Sequence, residues 1–474
     1  MQQGYSLISS RTDALNQNRE DGKTITNKLV LKNAHILDME KGDIFKGSIE
    51  IVNGHIQTVY KDAERVAFDC PEIDLEGKFV LPGLIDMHCH ILESFAPHFV
   101  AAGVTTVRNT AGNVLQLKDL IEADPSAPTP RVYSADRMID GPPGLWGPSS
   151  SGNFVAPSKL QARNEVKRQA AAGAKFIKVY GWLPKEEMEA VVEEAKAHNL
   201  EVSCDLLHSY SVNALDAAKI GVTWFEHASG FLQTLYPSWN TQADQEEWDK
   251  INWAEPNERE IKKLCEEMIK YNVKLCPTLV LSNQIMQYPD YWNPQNEIIE
   301  SIAGIEHLNE QWGNMSGYMK EMKTQVGLIE AFTKKVTKTY FDLGGTVVTG
   351  TDTPAGIWTY PGAALHRELE LFVEIGFSEM EALQAATIKA AEAIGLNDIG
   401  VIKNGAMADL VVLSENPLAD IRNTKTIDMV IKGGKVYTQS EILENTPNQT
   451  DFMERYENFE LEFAKIMEQE EIEG

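Results

Sequence analysis

Eight short β-rich runs, most of them separated by helix formers, constrain this chain more than any other feature. They are LIDMHCH (84–90), VTTVRNT (104–110), RVYSADR (131–137), FIKVYG (176–181), EVSCDLLH (201–208), TWFEHAS (223–229), VKLCPTLVLS (273–282) and TVVTGTDT (346–353). Helical stretches such as NEVKRQAAAGA (164–174) and KEEMEAVVEEAKAHN (185–199) lie between them. Eight βα repeats predict a (β/α)8 TIM barrel with insertions, although the periodicity also admits a doubly wound open sheet. At 474 residues the chain exceeds one ordinary core, and a hydrophobic content of 43% is ample for a packed interior.

The two ends account for the excess. NKLVLKNAHILDMEKGDIFKGSIEIVNGHIQTVY near the start is a series of short alternating runs broken by Asn, Gly and Asp. GAMADLVVLSENPLADI and IDMVIKGGKVY mirror it near the end. A small β-sandwich domain built from both chain ends is expected, with parts at 28–82 and 397–440 and the barrel inserted at 83–396. Residues 1–27 are polar and read as a flexible segment. Two excursions, near 230–272 and 283–345, are long enough to be lid insertions over a barrel mouth, or plain helices packed on its rim. The acidic end, 441–474, carries Phe452, Tyr456, Phe459, Phe463 and Met467 near helical spacing, which predicts one packed helix and a solvated tip.

The polar residues fall where such a barrel collects chemistry. His88 and His90 end the first run, His208 the fifth, His227 lies in the sixth and Asp352 in the eighth, while Lys178 sits in the fourth between Ile177 and Val179. Parallel strands of a barrel bring their C-terminal ends to one face. Residues i and i+2 of a strand point the same way, so His88 and His90 can hold one ion while Met87 and Cys89 face the helices. Taken singly, each residue has a bland reading: a hydrogen-bonded core histidine, a surface lysine, an Asx-turn or helix cap at Asp352. Six such groups at one face point instead to a metal site, for Zn²⁺ first and for Mn²⁺, Co²⁺ or Fe²⁺ as alternatives. His35, His55, His98, His198 and His366 show no such placement.

These residues carry a resemblance. LPGLIDMHCH, AGVTTVRNT, FIKVY, HSYSVNALDAAKIGVTWFEHASG, VVTGTDT and ALQAATIKAAEAIGLNDIGVIKNGAMADLVVL together resemble the amidohydrolase superfamily, in its imidazolonepropionase-like and prolidase-like branch of metal hydrolases. The resemblance implies the barrel and the two-ended β-sandwich. It implies two divalent metal ions. His88, His90 and Asp352 would hold one and His208 and His227 the other, with an N6-carboxylated Lys178 bridging them. Only an uncharged amine captures CO₂, and a charge among apolar neighbours is costly. The activity implied is hydrolysis of a C–N (amide) bond in a cyclic amide, an N-acyl amino acid or a dipeptide, by a metal-bridging hydroxide with Asp352 as general base and then acid.

Two other readings compete. A mononuclear deaminase on the same fold typically has a Glu three residues after the fifth-strand His; here Ser209, Tyr210 and Ser211 follow His208. A non-catalytic scaffold would have lost ligands, and all six are present. For substrate contacts the candidates are Tyr210, beside His208, for a carboxylate; Arg108, for a substrate anion or for a carboxylate within the barrel; and Trp146 in the loop GPPGLWGPSSSG, as pocket lining or loop anchor.

Charge and cysteine usage narrow the partners. The net charge of −27 argues against nucleic acid and anionic membranes, which need a basic face. Five scattered cysteines without a CxxC predict free, mostly buried thiols. No apolar run is long enough to span a membrane. The polar start fits a soluble cytoplasmic chain, or a periplasmic or secreted one whose leader has been removed. A small-molecule substrate and a homo-oligomer fit this picture.

Overall fold

The computed structural model describes residues 28–61 and 68–473. The segment 1–27, read as flexible, lies outside them.

Both chain ends meet in one mixed sheet of eight strands. Lys28–Asp38, Asp43–Val52, His55–Lys61, Glu72–Asp74 and Phe79–Pro82 come from the first part, and Leu410–Leu413, Ile427–Lys432 and Lys435–Tyr437 from the last. Alternation decides which side faces inward: in SIEIV, Ile49 and Ile51 are buried and Glu50 between them is not. Asn53 and Gly54, with φ of 50° and 80°, turn the second strand into the third, as Asn-Gly does in a tight hairpin. Phe79–Pro82 joins the two parts, pairing parallel with Lys28–Asp38 and antiparallel with Leu410–Leu413.

Between them, all eight expected runs contain strand. Leu84–Cys89, Val104–Asn109 and Arg131–Ser134 form a parallel sheet. Phe176–Tyr180, Glu201–Asp205, Trp224–Glu226, Lys274–Cys276 and Thr346–Val347 form another. Backbone bonds join the two sheets on both sides: Lys175 N donates to Ser134 O at 2.8 Å, and Met87 N to Thr349 O at 3.0 Å. Two short strands, Met138–Asp140 and Asn153–Val155, extend the second sheet and were not expected. The seventh run is also shorter than expected. Pro277 has no N–H for the ladder, and from Leu279 the chain is helical to Gln287.

Both excursions are helical. The first holds Phe231–Leu235, Gln245–Asp249 and Glu258–Lys270, with Trp239, Trp248 and Trp253 packed together at centroid distances of 5.2–6.2 Å. The second is dominated by Glu306–Asp342, a helix of 37 residues. Its fully buried Trp312 donates Nε1–H to Pro354 O at 2.8 Å, which ties the helix to the turn following Asp352. The C-terminal helix runs Gln449–Glu473 and buries Phe452 and Phe463, two of its expected apolar positions. Among the described residues no helix is long and apolar enough to cross a membrane. The five cysteines are free, and all but Cys70 are buried.

Gly350 marks where the last run presses on the first. A Cβ there would lie 2.4 Å from Cys276 Sγ and 2.7 Å from His88 Cβ. Gly350→Ala is therefore expected to lower stability by about 1–3 kcal/mol through overpacking, read as a lower denaturant midpoint; an unchanged midpoint would contradict the close approach.

Candidate active site

Strand alternation sorts the site. Asp86, His88 and His90 share one side of the first run, Arg108 and Thr106 of the second, Phe176, Lys178 and Tyr180 of the fourth, and Trp224 and Glu226 of the sixth. His88 Nε2 and His90 Nε2 approach the same oxygen, Asp352 Oδ1, at 3.1 and 2.9 Å. His227 Nε2 lies 3.8 Å from Asp352 Oδ2 and 3.5 Å from Asp205 Oδ2. The His88 ring centroid is 4.8 Å from that of His227 and 5.6 Å from that of His90. Three of the four expected histidines and Asp352 are thus brought together.

Lys178 is buried on the strand Phe176–Tyr180, and its Nζ makes no hydrogen bond or ion pair among the described residues. It lies close enough for its charge to act on Asp205, Glu226 and His227. His208 follows the fifth strand and touches none of the other five directly; its charge acts on Asp205.

Every one of the four rings is braced from behind. His88 Nδ1 meets Glu226 Oε2 at 2.7 Å, His90 Nδ1 the Ala111 carbonyl at 3.4 Å, His208 Nδ1 Thr241 Oγ1 at 2.8 Å and His227 Nδ1 Thr278 Oγ1 at 2.5 Å. Tying Nδ1 fixes the ring and leaves Nε2 as the nitrogen offered to the site, which is how metal-binding imidazoles are usually held. The backbone is strained at the same place: His227, Ala228, Thr278 and Asp352 have φ between 47° and 59°, a region that non-glycine residues seldom occupy.

Glu226 was not singled out from the sequence, yet it organises the floor of the site. It is fully buried, and besides His88 it accepts from Arg108 Nη1 at 2.8 Å and Ser203 Oγ at 2.5 Å. Burial raises the cost of its charge, but Arg108, His88 and Lys178 together outweigh this and hold its carboxyl well below the usual range. Burial likewise opposes a charged His88, and Asp352 and Glu226 outweigh it, pushing the imidazole up to about 9. His88 and His227 hold Asp352 well below the ordinary carboxylate range in spite of its burial.

Of the expected substrate contacts, Arg108 does not reach solvent. It is fully buried, paired with Glu226, and its guanidinium is sandwiched between the Phe176 and Trp224 rings at 4.0 and 4.1 Å. That corrects the substrate-anion reading in favour of a partner within the fold, because a buried guanidinium needs a nearby carboxylate. Tyr210 and Trp146 are 64% and 62% exposed on the rim, and the Trp146 ring lies 6.2 Å from that of Tyr180. Tyr180 and Asp205 were also overlooked. Tyr180 stands two residues beyond Lys178 and so shares its side, a signal present in FIKVY; Asp205 is the last residue of its strand. His366 is bonded elsewhere, its Nδ1 lying 3.0 Å from Thr424 Oγ1.

The donor set fits a divalent cation. Ligand atoms of His88, His90 and Asp352 lie within 4.8 Å of one another, and two imidazoles with a carboxylate suit a borderline metal. Parallel strands deliver braced imidazoles and a carboxylate to one end of an α/β protein, where they form a candidate metal site. The chain belongs to the amidohydrolase family, whose model matches residues 79–437.

An ochratoxinase of Aspergillus niger is 26% identical over 330 residues, covering 65% of this chain and 55% of that protein. The chain thus spans about half the length of the curated relatives it matches. The fold is shared with a putative prolidase from Bifidobacterium longum (22% identity, TM-score 0.64, covering 89% of this chain and 99% of that one). It is shared too with a prolidase complexed with N-methylphosphonate-L-proline (20% identity, TM-score 0.64, 87% and 99%).

Because Glu226 is the carboxylate that Arg108 pairs with, Glu226→Leu is expected to cost about 3–5 kcal/mol of stability, much of it from an unpaired buried guanidinium. Adding Arg108→Met should recover a large part of that loss in equilibrium unfolding. Strictly additive losses would show that the pair is not coupled.

Proposed function

We propose that this chain is a metal-dependent hydrolase of C–N (amide) bonds with a binuclear centre. The observation that carries the reading is the arrangement of Nε2 atoms. Those of His88 and His90 converge on Asp352, with all four Nδ1 atoms tied back, and the buried Lys178 makes no hydrogen bond or ion pair among the described residues. His88, His90 and Asp352 would hold one ion, His208 and His227 the second, and Lys178 would bridge them as its N6-carboxylate. Zinc suits this donor set best, with Mn, Co or Fe as alternatives. Such ions, when bound, supply an acidified water and a Lewis acid for the scissile carbonyl. Asp352 takes the proton of the attacking water and passes it to the leaving nitrogen. Arg108 and Glu226 keep His88 fixed during this transfer.

The same reading assigns the wider architecture. The eight runs would close as a (β/α)8 barrel over 83–396, supported by the bonds from Lys175 to Ser134 and from Met87 to Thr349. The terminal sheet, from 28–82 and 397–440, would fold as a small β-sandwich beside it, and the helical excursions near 230–272 and 283–345 would border the mouth. Ochratoxinase and the prolidases among the relatives support an amide substrate, an N-acyl amino acid or dipeptide foremost, with a cyclic amide as the alternative.

Metal content decides between one ion and two. Plasma mass spectrometry is expected to find two ions per chain, and a carbamate ¹³C signal should appear under ¹³CO₂ and vanish in Lys178→Ala. One ion per chain with an unmodified Lys178 would instead favour a mononuclear deaminase. Asp352→Asn is expected to lower kcat by a factor on the order of 10²–10⁴ on whichever N-acyl amino acid or dipeptide the native chain cleaves, with the fold intact by circular dichroism. An undiminished kcat would remove Asp352 from proton transfer.

A further inference from the structure

We propose that a cleft beside His90, walled on one side by the C-terminal helix, is a subsite for an uncharged, hydrogen-bonding part of the substrate such as a carboxamide. The inference rests on the hydrolase reading above and adds to it the class of group that lies next to the bond to be broken.

The cleft has a volume of about 280 Å³. That is below the range of about 300–1,000 Å³ that encloses a whole drug-sized ligand, so it suits one moiety. Its polar lining comes from five separate parts of the chain: His90, Asn113 and Gln116, Ser151, Gln311, and Tyr456. Among the described residues no Lys, Arg, Asp or Glu lines it. A carboxylate there would meet no basic side chain except the His90 ring, which is turned toward Asp352.

The amides at its edge are not all engaged. Asn113 is occupied at both ends, donating from Nδ2 to Ser151 O at 3.0 Å and accepting from Leu115 N at 3.1 Å. Gln116 makes no hydrogen bond among the described residues. Gln311 has only a long one, from Nε2 to Pro354 O at 3.5 Å. One free amide and one free amide carbonyl therefore face a cleft that opens on a candidate metal ligand. A carboxamide can both donate to and accept from such groups. An apolar group would displace their water and leave them unpaired, which is how a polar subsite discriminates.

The helical wall is fixed rather than loosely apposed. Ser151 Oγ donates to both Glu460 oxygens at 2.7 and 2.8 Å, Arg455 pairs with Glu93 at 2.7 Å, and the Phe452 ring stacks 5.7 Å from His307. Phe463 lies under the Arg137 guanidinium at 5.5 Å. Tyr456 is thereby held against the cleft between two anchored turns. The helix, Gln449–Glu473, lies beyond the stretch 79–437 that matches the family, so this wall is not part of the match.

The test uses the full metal-loaded chain and calorimetric titration with N-acetyl-L-glutamine, N-acetyl-L-methionine and N-acetyl-L-glutamate, whose side chains are similar in length. The glutamine derivative is expected to bind at least about fivefold more tightly than the other two, the order of one hydrogen bond gained or lost. Gln116→Leu should erase its advantage over the methionine derivative, and Tyr456→Ala should weaken it more than the others, with metal content unchanged in both. Equal affinities, no measurable binding, or a preference that survives both substitutions would overturn the subsite. Turnover is followed in the same samples. A binding preference without turnover of these compounds or of dipeptides would remove the hydrolase reading and leave the subsite; turnover without preference would do the reverse.

Discussion

The carboxylate of Glu226 is the joint on which this structure turns. One of its oxygens meets the guanidinium of Arg108 and the hydroxyl of Ser203, and the other meets Nδ1 of His88. A buried charge with no partner is costly, so none of these groups can be placed independently of the others. Arg108 is in turn clamped between two aromatic faces, which gives the interior a fixed cation well below the strand ends. The position of His88 is therefore set from beneath by the core before anything binds above it.

From there the constraint passes upward. His88 and His90 meet at Asp352, whose own backbone lies in a left-handed conformation. His88 O accepts from both Thr351 N and Asp352 N, so the first and last runs are tied at the residues proposed to hold the metal. Strain of this kind persists only where the surroundings over-determine it. Here those surroundings are the close contact at Gly350, the bonds that Thr351 donates to the Asp86 carboxylate, and Trp312 reaching down to Pro354. The long helix of the second excursion thus braces the turn that follows Asp352. The first excursion does similar work for His208 through Thr241.

The same logic separates the two roles that charge has in the molecule. The surface is strongly acidic, while the site gathers its cations and imidazoles inward around a few carboxylates. A small cleft at its edge, walled on one side by a helix from the far end of the chain and lined among the described residues by no Lys, Arg, Asp or Glu, would leave selection of substrate to hydrogen bonding rather than to net charge.

What the sequence determined by itself is what periodicity can carry. The eight runs, the shared side of His88 and His90, the burial of Lys178 in FIKVY, and the helical spacing of Phe452 to Phe463 are local patterns, and each could be read without the fold. Even the overlooked Tyr180 was legible, since it stands two residues from Lys178 on the same strand. Only the tertiary structure decided that Arg108 belongs to Glu226 rather than to a substrate, that Glu226 supports a histidine 138 residues away, and that Tyr456 borders the cleft beside His90. Those contacts join elements far apart in the chain. They are set by which faces pack together, and packing between distant elements leaves no periodic trace in either one.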